Sequence, residues 1–174
     1  MTDQFFLDDR SNEDPTDSLI QEAAAATGLK KKLLDKFILV RPYVRDTINE
    51  YLTPEILEVD DDTLTAVFRY RFHEWMKNVD GVMHGGFISC LLDSALGIFA
   101  SIYQPRSETT PTISMNISFL NPVMPEDYVC IRVHVEDVKS RIVFVSGTMF
   151  QESAPPRALA TASGQYYRRP DPLR

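Results

Sequence analysis

The spacing of apolar residues along the first third of the chain is helical. From Ser18 the run SLIQEAAAATGLKKKLLDKFILV repeats its apolar positions at helical intervals. Ser18, with Gln21 three residues on, fits a capping box at the start of this helix. Gly28 is expected to break or bend the stretch, because glycine weakens a helix interior. A second helix is predicted over residues 41–51.

The period then changes to that of β-strands. Residues 63–72 (TLTAVFRYRF) alternate, and the pattern places five side chains on one face: Leu64, Ala66, Phe68, Tyr70 and Phe72. Four more strands are predicted, at residues 112–120, 128–138, 142–151 and 158–167. Short turns separate the strands that follow one another, so an antiparallel sheet is expected.

Between the first strand and the other four lies a run that is apolar on nearly all sides, FISCLLDSALGIFASIY. Such a helix belongs in the middle of a domain, and here only a curled sheet can cover it. The predicted class is therefore α+β: a hotdog fold, in which a curled antiparallel sheet wraps around a long central helix, with extra N-terminal helices. We expect a mobile acidic tail at residues 1–17, a helical extension at 18–56 and the hotdog domain at 57–170.

Composition adds limits on the partners and the location. The 174 residues are 44% hydrophobic and 25% charged, with a net charge of -7, which argues against nucleic acid as the main partner. Cys90 and Cys130 lie in apolar runs and are interpreted as free thiols in a reducing compartment, with a disulfide between them as the alternative that spacing leaves open. The opening MTDQFFLDDR does not resemble a signal peptide, and no apolar run is long enough to span a bilayer. A soluble cytoplasmic protein is expected.

Candidate chemistry begins where the central helix begins, at His84-Gly85-Gly86. Free N–H groups at a helix start carry partial positive charge, and glycine lets a ligand approach them closely. Such a site stabilises the oxyanion that forms when a thioester carbonyl is attacked. On local sequence alone, a tight turn before the helix is an equally good explanation.

Asp93 favours the functional interpretation, because it is the only acid in the apolar helix. A carboxylate there is costly unless it is paired or functional, and the structural alternative is an aspartate bonded to a core hydroxyl. Asp93 lies seven residues beyond Gly86, which is about 10 Å along the axis. It cannot easily serve a carbonyl at its own helix start, so a two-fold dimer with shared sites is predicted.

Two polar residues flank the loop that enters this helix. Asn78 has an amide that can hold a water or a carbonyl, although asparagine before Gly81 is also common turn chemistry. His84 either contacts the substrate or caps the loop. His73 and His134 lack neighbours that suggest a metal site, so neither a metal nor a cofactor is expected.

The residues Asn78, His84-Gly85-Gly86 and Asp93, at this spacing, resemble the PaaI-type group of hotdog thioesterases. The resemblance covers roughly residues 60–168 and includes the strand PTISMNISFLNP. It implies a dimer, often a dimer of dimers, that needs no metal. The long N-terminal extension departs from the minimal family member.

The resemblance also implies roles for single residues. Asp93 is the nucleophile or general base across the dimer, Gly85 offers its N–H to the thioester oxygen, and Asn78 orients the water or carbonyl. His84 positions the thioester, beside Gly86, and Thr112 helps to bind the attacking water. Ser114 stands where relatives are often acidic.

The expected substrate is an acyl-CoA. Lys139, Ser140 and Arg141, in the hairpin where related enzymes hold the nucleotide, are candidates for phosphate contacts, with ordinary turn residues as the even alternative. Acyl-pocket candidates are apolar and each is more simply explained as core: Phe72, Trp75, Phe87, Leu91 and Ile98.

The sequence thus predicts an acyl-CoA thioesterase. The alternative is a non-catalytic module that binds acyl-CoA, against which Asp93 argues. A hotdog hydratase or dehydratase is disfavoured by the motif, and an assembly role is left open by the fold.

Overall fold

A computed structural model describes residues 16–104, 110–125, 128–151 and 157–169. The helices are α1 (Thr16–Ala25), α2 (Gly28–Val44), α3 (Ile48–Tyr51) and α4 (Gly85–Ser101), with a 3-10 turn at Glu74–Met76. The strands are β1 (Glu55–Asp60), β2 (Thr65–Arg71), β3 (Thr112–Phe119), β4 (Tyr128–Val138), β5 (Ile142–Phe150) and β6 (Ala160–Tyr167). None of the helices in these ranges is long and apolar enough to cross a membrane.

The six strands form one antiparallel sheet in the order β1-β2-β4-β5-β6-β3. Helix α4 packs against five of them, β2 to β6, so the sheet curls around the helix. This arrangement confirms the predicted hotdog fold.

The core forms between α4 and the inner face of the sheet. Phe68 of β2 and Phe99 of α4 meet edge to face, with ring centroids 6.4 Å apart. The inner residues of β4 are fully buried as the alternation predicted, and they are Val129, Ile131, Val133 and Val135. Burial of this many aliphatic groups is the main stabilisation of the domain.

The N-terminal helices differ in detail from the sequence prediction. Gly28 separates α1 from α2, as expected, and has a φ of +58° that suits glycine. The predicted cap at Ser18 is wrong, because α1 already begins at Thr16. The predicted single helix over 41–51 is also wrong: α2 continues through Pro42 to Val44, and α3 is a separate short turn.

The sheet has one strand more than the sequence predicted. β1 was missed because EILEVD is short, and only Ile56 and Val59 in it are half-buried. Leu64, assigned to the inner face of the first predicted strand, lies instead in the β1–β2 turn with a φ of +52°. The alternation therefore begins only at Ala66.

Helix α2 is attached to the sheet through the β1–β2 turn. The N–H of Leu29 donates to Asp61 Oδ1 at 2.8 Å, so this carboxylate caps a helix distant in sequence. Leu29 and Leu33 are buried in the core cluster that contains α4. The extension is thus packed on the hotdog domain. Its predicted boundary at residue 57 stays a prediction, and the predicted tail lies, up to residue 15, outside the described residues.

Candidate active site

The loop before α4 is built on Asn78. Its side-chain Oδ1 accepts from the N–H groups of Asp80 (2.9 Å) and Val82 (3.3 Å), and its backbone pairs with Val82 and Gly81. Gly81 has a φ of +81°, which closes the turn. Asn78 therefore makes the turn hydrogen bonds that its sequence position predicted. Its Nδ2 group is the part of the amide that is left to donate to a ligand.

His84 caps the first turn of α4. Its Nδ1 accepts from the Gly86 N–H at 2.9 Å, and its carbonyl accepts from Phe87 and Ile88. A ring nitrogen that accepts carries no proton, so the neutral imidazole has its proton on Nε2, where it can donate to a ligand.

These contacts single out Gly85 among the first donors of α4. The N–H groups of Gly86, Phe87 and Ile88 already have acceptors. In the described part of the chain the Gly85 N–H has none, and it lies at the positive end of the helix dipole. The ring of Phe119 lies over this glycine, 3.5 Å from where a Cβ would be.

Asp93 is half-buried on α4, and two hydroxyl groups hold it. Thr112 Oγ1 donates to Asp93 Oδ1 at 2.8 Å, and Tyr166 Oη donates to the same oxygen at 3.0 Å. The contact with Thr112 is open to solvent. The structure therefore brings together two of the predicted site residues, Asp93 and Thr112, and adds Tyr166.

A β-bulge explains why strict alternation misplaces Thr112. Alternation puts Thr112 and Ser114 on one face of β3, but the register shifts between them. Thr112 pairs with the inward Tyr166, whereas Ser114 pairs with the exposed Gln165. Ser114 therefore lies on the outer face of the sheet, away from Asp93. Tyr166 was missed, although a large aromatic after the small residues ATASG was a usable signal.

Cys90 lies one helical turn before Asp93 on the same side of α4. Burial, and then the negative charge of Asp93, raise the pKa of its thiol. Burial also raises the pKa of Tyr70, whose hydroxyl donates to Ser94 Oγ at 3.5 Å. Both groups stay protonated at neutral pH, which leaves Asp93 as the acidic group of this region of the helix.

An aromatic cluster borders the start of α4. Trp75 meets Phe87 edge to face at 5.1 Å and Tyr51 of α3 at 6.3 Å, and it stacks on His73 at 5.2 Å. Trp75 and Phe87 are half-buried, as is the other acyl-pocket candidate Ile98. The remaining two candidates, Phe72 and Leu91, are buried in the core.

Of the candidates for phosphate contacts, Lys139 lies at an outer groove of the sheet, together with Ser114. The groove has a volume of about 770 Å³, and Glu136 and Asp137 also line it. Lys139 Nζ pairs with Asp137 Oδ2 at 2.5 Å. Ser140 and Arg141 are exposed in the adjacent turn.

Asp93 and the Gly85 N–H are on the same helix but far apart. Asp93 lies eight positions after Gly85, which is about 12 Å along the axis. One chain therefore does not place its carboxylate at its own oxyanion donor. Across the four described ranges, no group of three or more His, Cys, Asp or Glu side chains is arranged to hold a metal ion.

Comparison with known proteins gives a family for this segment. The model of the thioesterase superfamily matches residues 80–155, a range that includes His84, Asp93 and Thr112. No curated protein matches the chain.

Solved structures share the fold. A phenylacetic acid degradation-related protein from Ralstonia eutropha is 20% identical, with a TM-score of 0.65 over 76% of this chain and 98% of its own. A mutant of the phenylacetic acid degradation protein PaaI from Thermus thermophilus is 20% identical, with a TM-score of 0.59 over 70% and 97%. A Streptococcus mutans protein bound to acetyl CoA is 16% identical, with a TM-score of 0.56 over 66% and 87%.

These findings confirm the resemblance that the motif predicted. Residues 80–155 match the thioesterase superfamily, and the chain has the hotdog fold of PaaI-related proteins.

Proposed function

We propose that the protein hydrolyses acyl-CoA thioesters to the free acid and CoA. The observation that carries the proposal is the Asp93 carboxylate, set in an otherwise apolar helix and held by hydroxyl groups on one oxygen only. The other carboxylate oxygen is left for general-base or nucleophilic catalysis. The acetyl CoA bound to the Streptococcus mutans neighbour supports a CoA thioester as the ligand.

The thioester carbonyl binds at the start of α4 in this proposal. The Gly85 N–H donates to the carbonyl oxygen and stabilises the oxyanion, aided by the Nε2 proton of His84. The Asn78 amide orients the water or the carbonyl. Asp93 either removes a proton from the attacking water or attacks the carbonyl itself, and the CoA thiolate leaves. The N–H of Gly86 already donates to His84, so it is not a donor to the substrate. Gly86 instead lets the substrate approach the backbone closely, because it has no side chain.

A second copy of the chain completes each site, because about 12 Å separate Gly85 from Asp93 along the helix. The partner's Asp93 would then act on the carbonyl held by this chain. Strand β3 supports this arrangement: it is the last strand of the sheet and carries the exposed apolar side chains Ile113 and Phe119, followed by Leu120. An exposed apolar edge strand is a site for pairing with another chain. We further propose that two such dimers associate.

We propose that the nucleotide of CoA binds at the β4–β5 hairpin. Ser140 and Arg141 are exposed there and can reach a phosphate. Lys139 is the weaker candidate, since Asp137 already neutralises it. We also propose that the protein is cytoplasmic, as the sequence predicted.

The deciding experiment measures free thiol released from a panel of short-chain, long-chain and aryl acyl-CoAs. We expect turnover by the native protein and a loss of about a thousandfold or more in Asp93→Asn, because the base or nucleophile is removed. Asp62→Asn, an exposed aspartate in the β1–β2 turn, is the matched control and should keep native activity. Absence of turnover together with acyl-CoA binding that persists in Asp93→Asn would instead identify the non-catalytic binding module.

A further inference from the structure

We propose that Tyr166 is a positioning residue: with Thr112 it fixes one oxygen of Asp93 and directs the other, Oδ2, to the reaction. This inference rests on the thioesterase function proposed above and assigns a role to a residue outside the motif.

The hydrogen bonds to Asp93 are asymmetric. Tyr166 Oη and Thr112 Oγ1 both donate to Oδ1, at 3.0 and 2.8 Å, and Tyr166 also lies 3.4 Å from the Asp93 carbonyl. Among the described residues no donor binds Oδ2. Two donors on one oxygen stop rotation of the carboxylate, so Oδ2 keeps one direction.

The two donors are cross-strand partners in the sheet. Thr112 and Tyr166 are directly opposed on the neighbouring strands β3 and β6, next to the bulge of β3. Cross-strand partners on one face approach closely, so both hydroxyl groups reach the same atom of α4. The bulge is thus what makes the pair of donors possible, because without it Thr112 would point outward.

The ring of Tyr166 fits a slot made by two glycines. A Cβ on Gly164 would lie 2.7 Å from Cε2 of the ring, and a Cβ on Gly97 would lie 3.3 Å from Cε1. The side chain is fully buried between β6 and α4. A ring held from both sides presents its hydroxyl group at a fixed point, as positioning requires.

The hydroxyl group also keeps its proton. Burial, and then the charge of Asp93, raise the pKa of Tyr166 well above its usual value. Tyr166 therefore remains a hydrogen-bond donor at neutral pH. Tyr70 provides a comparison: it is equally buried, but it donates to Ser94 and has no hydrogen bond to the Asp93 carboxylate.

The first test compares Tyr166→Phe with the matched variant Tyr70→Phe in the acyl-CoA assay. Tyr166→Phe should lower kcat by roughly tenfold with KM changed by less than about twofold, because one charge-assisted hydrogen bond is lost at the reacting group. Tyr70→Phe should keep native kcat. Equal kcat in the two variants, with an active native protein, would overturn the role of Tyr166 and leave the thioesterase intact. A native protein without turnover on any thioester would overturn both.

A second variant keeps the test valid if Tyr166→Phe does not fold. Gly97→Ala retains the hydroxyl group but pushes the ring by a few tenths of an ångström. The added methyl group overpacks the slot, so the melting temperature is measured first to show that the variant is folded, and kcat should then fall below the native value. Native kcat in Gly97→Ala would contradict the proposal, because a purely structural tyrosine tolerates that shift.

The shared oxygen predicts a coupling between the two donors. In Thr112→Val Tyr166 still holds Oδ1, whereas the double variant frees the carboxylate. The double variant should therefore lose more kcat than the product of the two single losses. A double variant no slower than Thr112→Val alone would count against Tyr166.

Discussion

The two edges of the sheet are built differently. The β1 edge is acidic, with Glu55, Glu58 and Asp60 exposed, and helix α2 packs against the strand. The β3 edge is apolar, with Ile113 and Phe119 about half exposed. Charge on an edge strand discourages pairing with another chain, whereas exposed apolar side chains favour it. The N-terminal extension lies at the β1 edge, which we call the closed edge, and the β3 edge beside Asp93, which we call the open edge, is the one that fits the proposed second copy.

The largest effect is expected when an acidic side chain, like those on the β1 edge, is placed on the β3 edge. Ile113→Glu should weaken the proposed dimer by at least about a hundredfold, because burying an unpaired carboxylate costs on the order of 3 kcal/mol or more. Thioesterase activity at low protein concentration should fall with it, since each site of the proposed dimer uses the partner's Asp93. Analytical ultracentrifugation measures the mass, and the acyl-CoA assay measures the activity.

Leu57→Glu is the matched control on the opposite edge. Leu57 is 38% exposed on β1, close to the 51% of Ile113. The same substitution there should change neither mass nor activity. If Leu57→Glu dissociates the dimer and Ile113→Glu does not, the assignment of the two edges is reversed.

A smaller effect is expected when the closed edge loses its helix attachment. Gly28→Ala forces a Cβ onto a φ of +58° and to within 1.7 Å of Asp61 Oδ2. The carboxylate must move, which removes the cap on Leu29, so the free energy of unfolding should fall by about 2 kcal/mol. Urea unfolding measures the loss.

Asp61→Asn is the matched control, because it removes the charge of the capping residue but keeps Gly28 and an oxygen that can cap Leu29. The amide oxygen can still accept from Leu29, so this variant should lose well under about 1 kcal/mol. Both variants should remain dimeric with native kcat. A monomeric Gly28→Ala protein would show that the extension contributes to the dimer rather than to the closed edge.

The sequence predicted the parts of the fold that depend on strong periodicity. The all-round apolar run from Phe87 predicted α4, and the alternation of β4 matched its observed bounds. β1 was missed because an edge strand with few buried residues has a weak period. Leu64 was misassigned because alternation alone does not reveal a turn with positive φ.

The residues of the candidate site also differ in how far local sequence predicts them. Local motifs predicted His84, Gly85 and Asp93, which lie in α4 or at its N-cap. Tyr166 could not be found by spacing, because its contact with Asp93 joins β6 to α4 across 73 positions of sequence. The bulge that turns Thr112 inward is likewise a property of strand pairing, so the PaaI resemblance, rather than the alternation, named this residue.

The smallest effect tests the charge that Asp93 places beside the open edge. Because the Asp93 carboxylate contributes to the raised pKa of Cys90, Asp93→Asn should lower that pKa and increase the thiolate fraction at a given pH. Alkylation of Cys90 by iodoacetamide at pH 8 should then be about threefold faster than in the native protein. Cys90→Ser identifies the labelled site, since the other cysteine, Cys130, is fully buried. Asp62→Asn should react at the native rate. Equal rates in Asp93→Asn and the native protein would mean that solvent screens Asp93, in which case burial alone accounts for the raised pKa of Cys90.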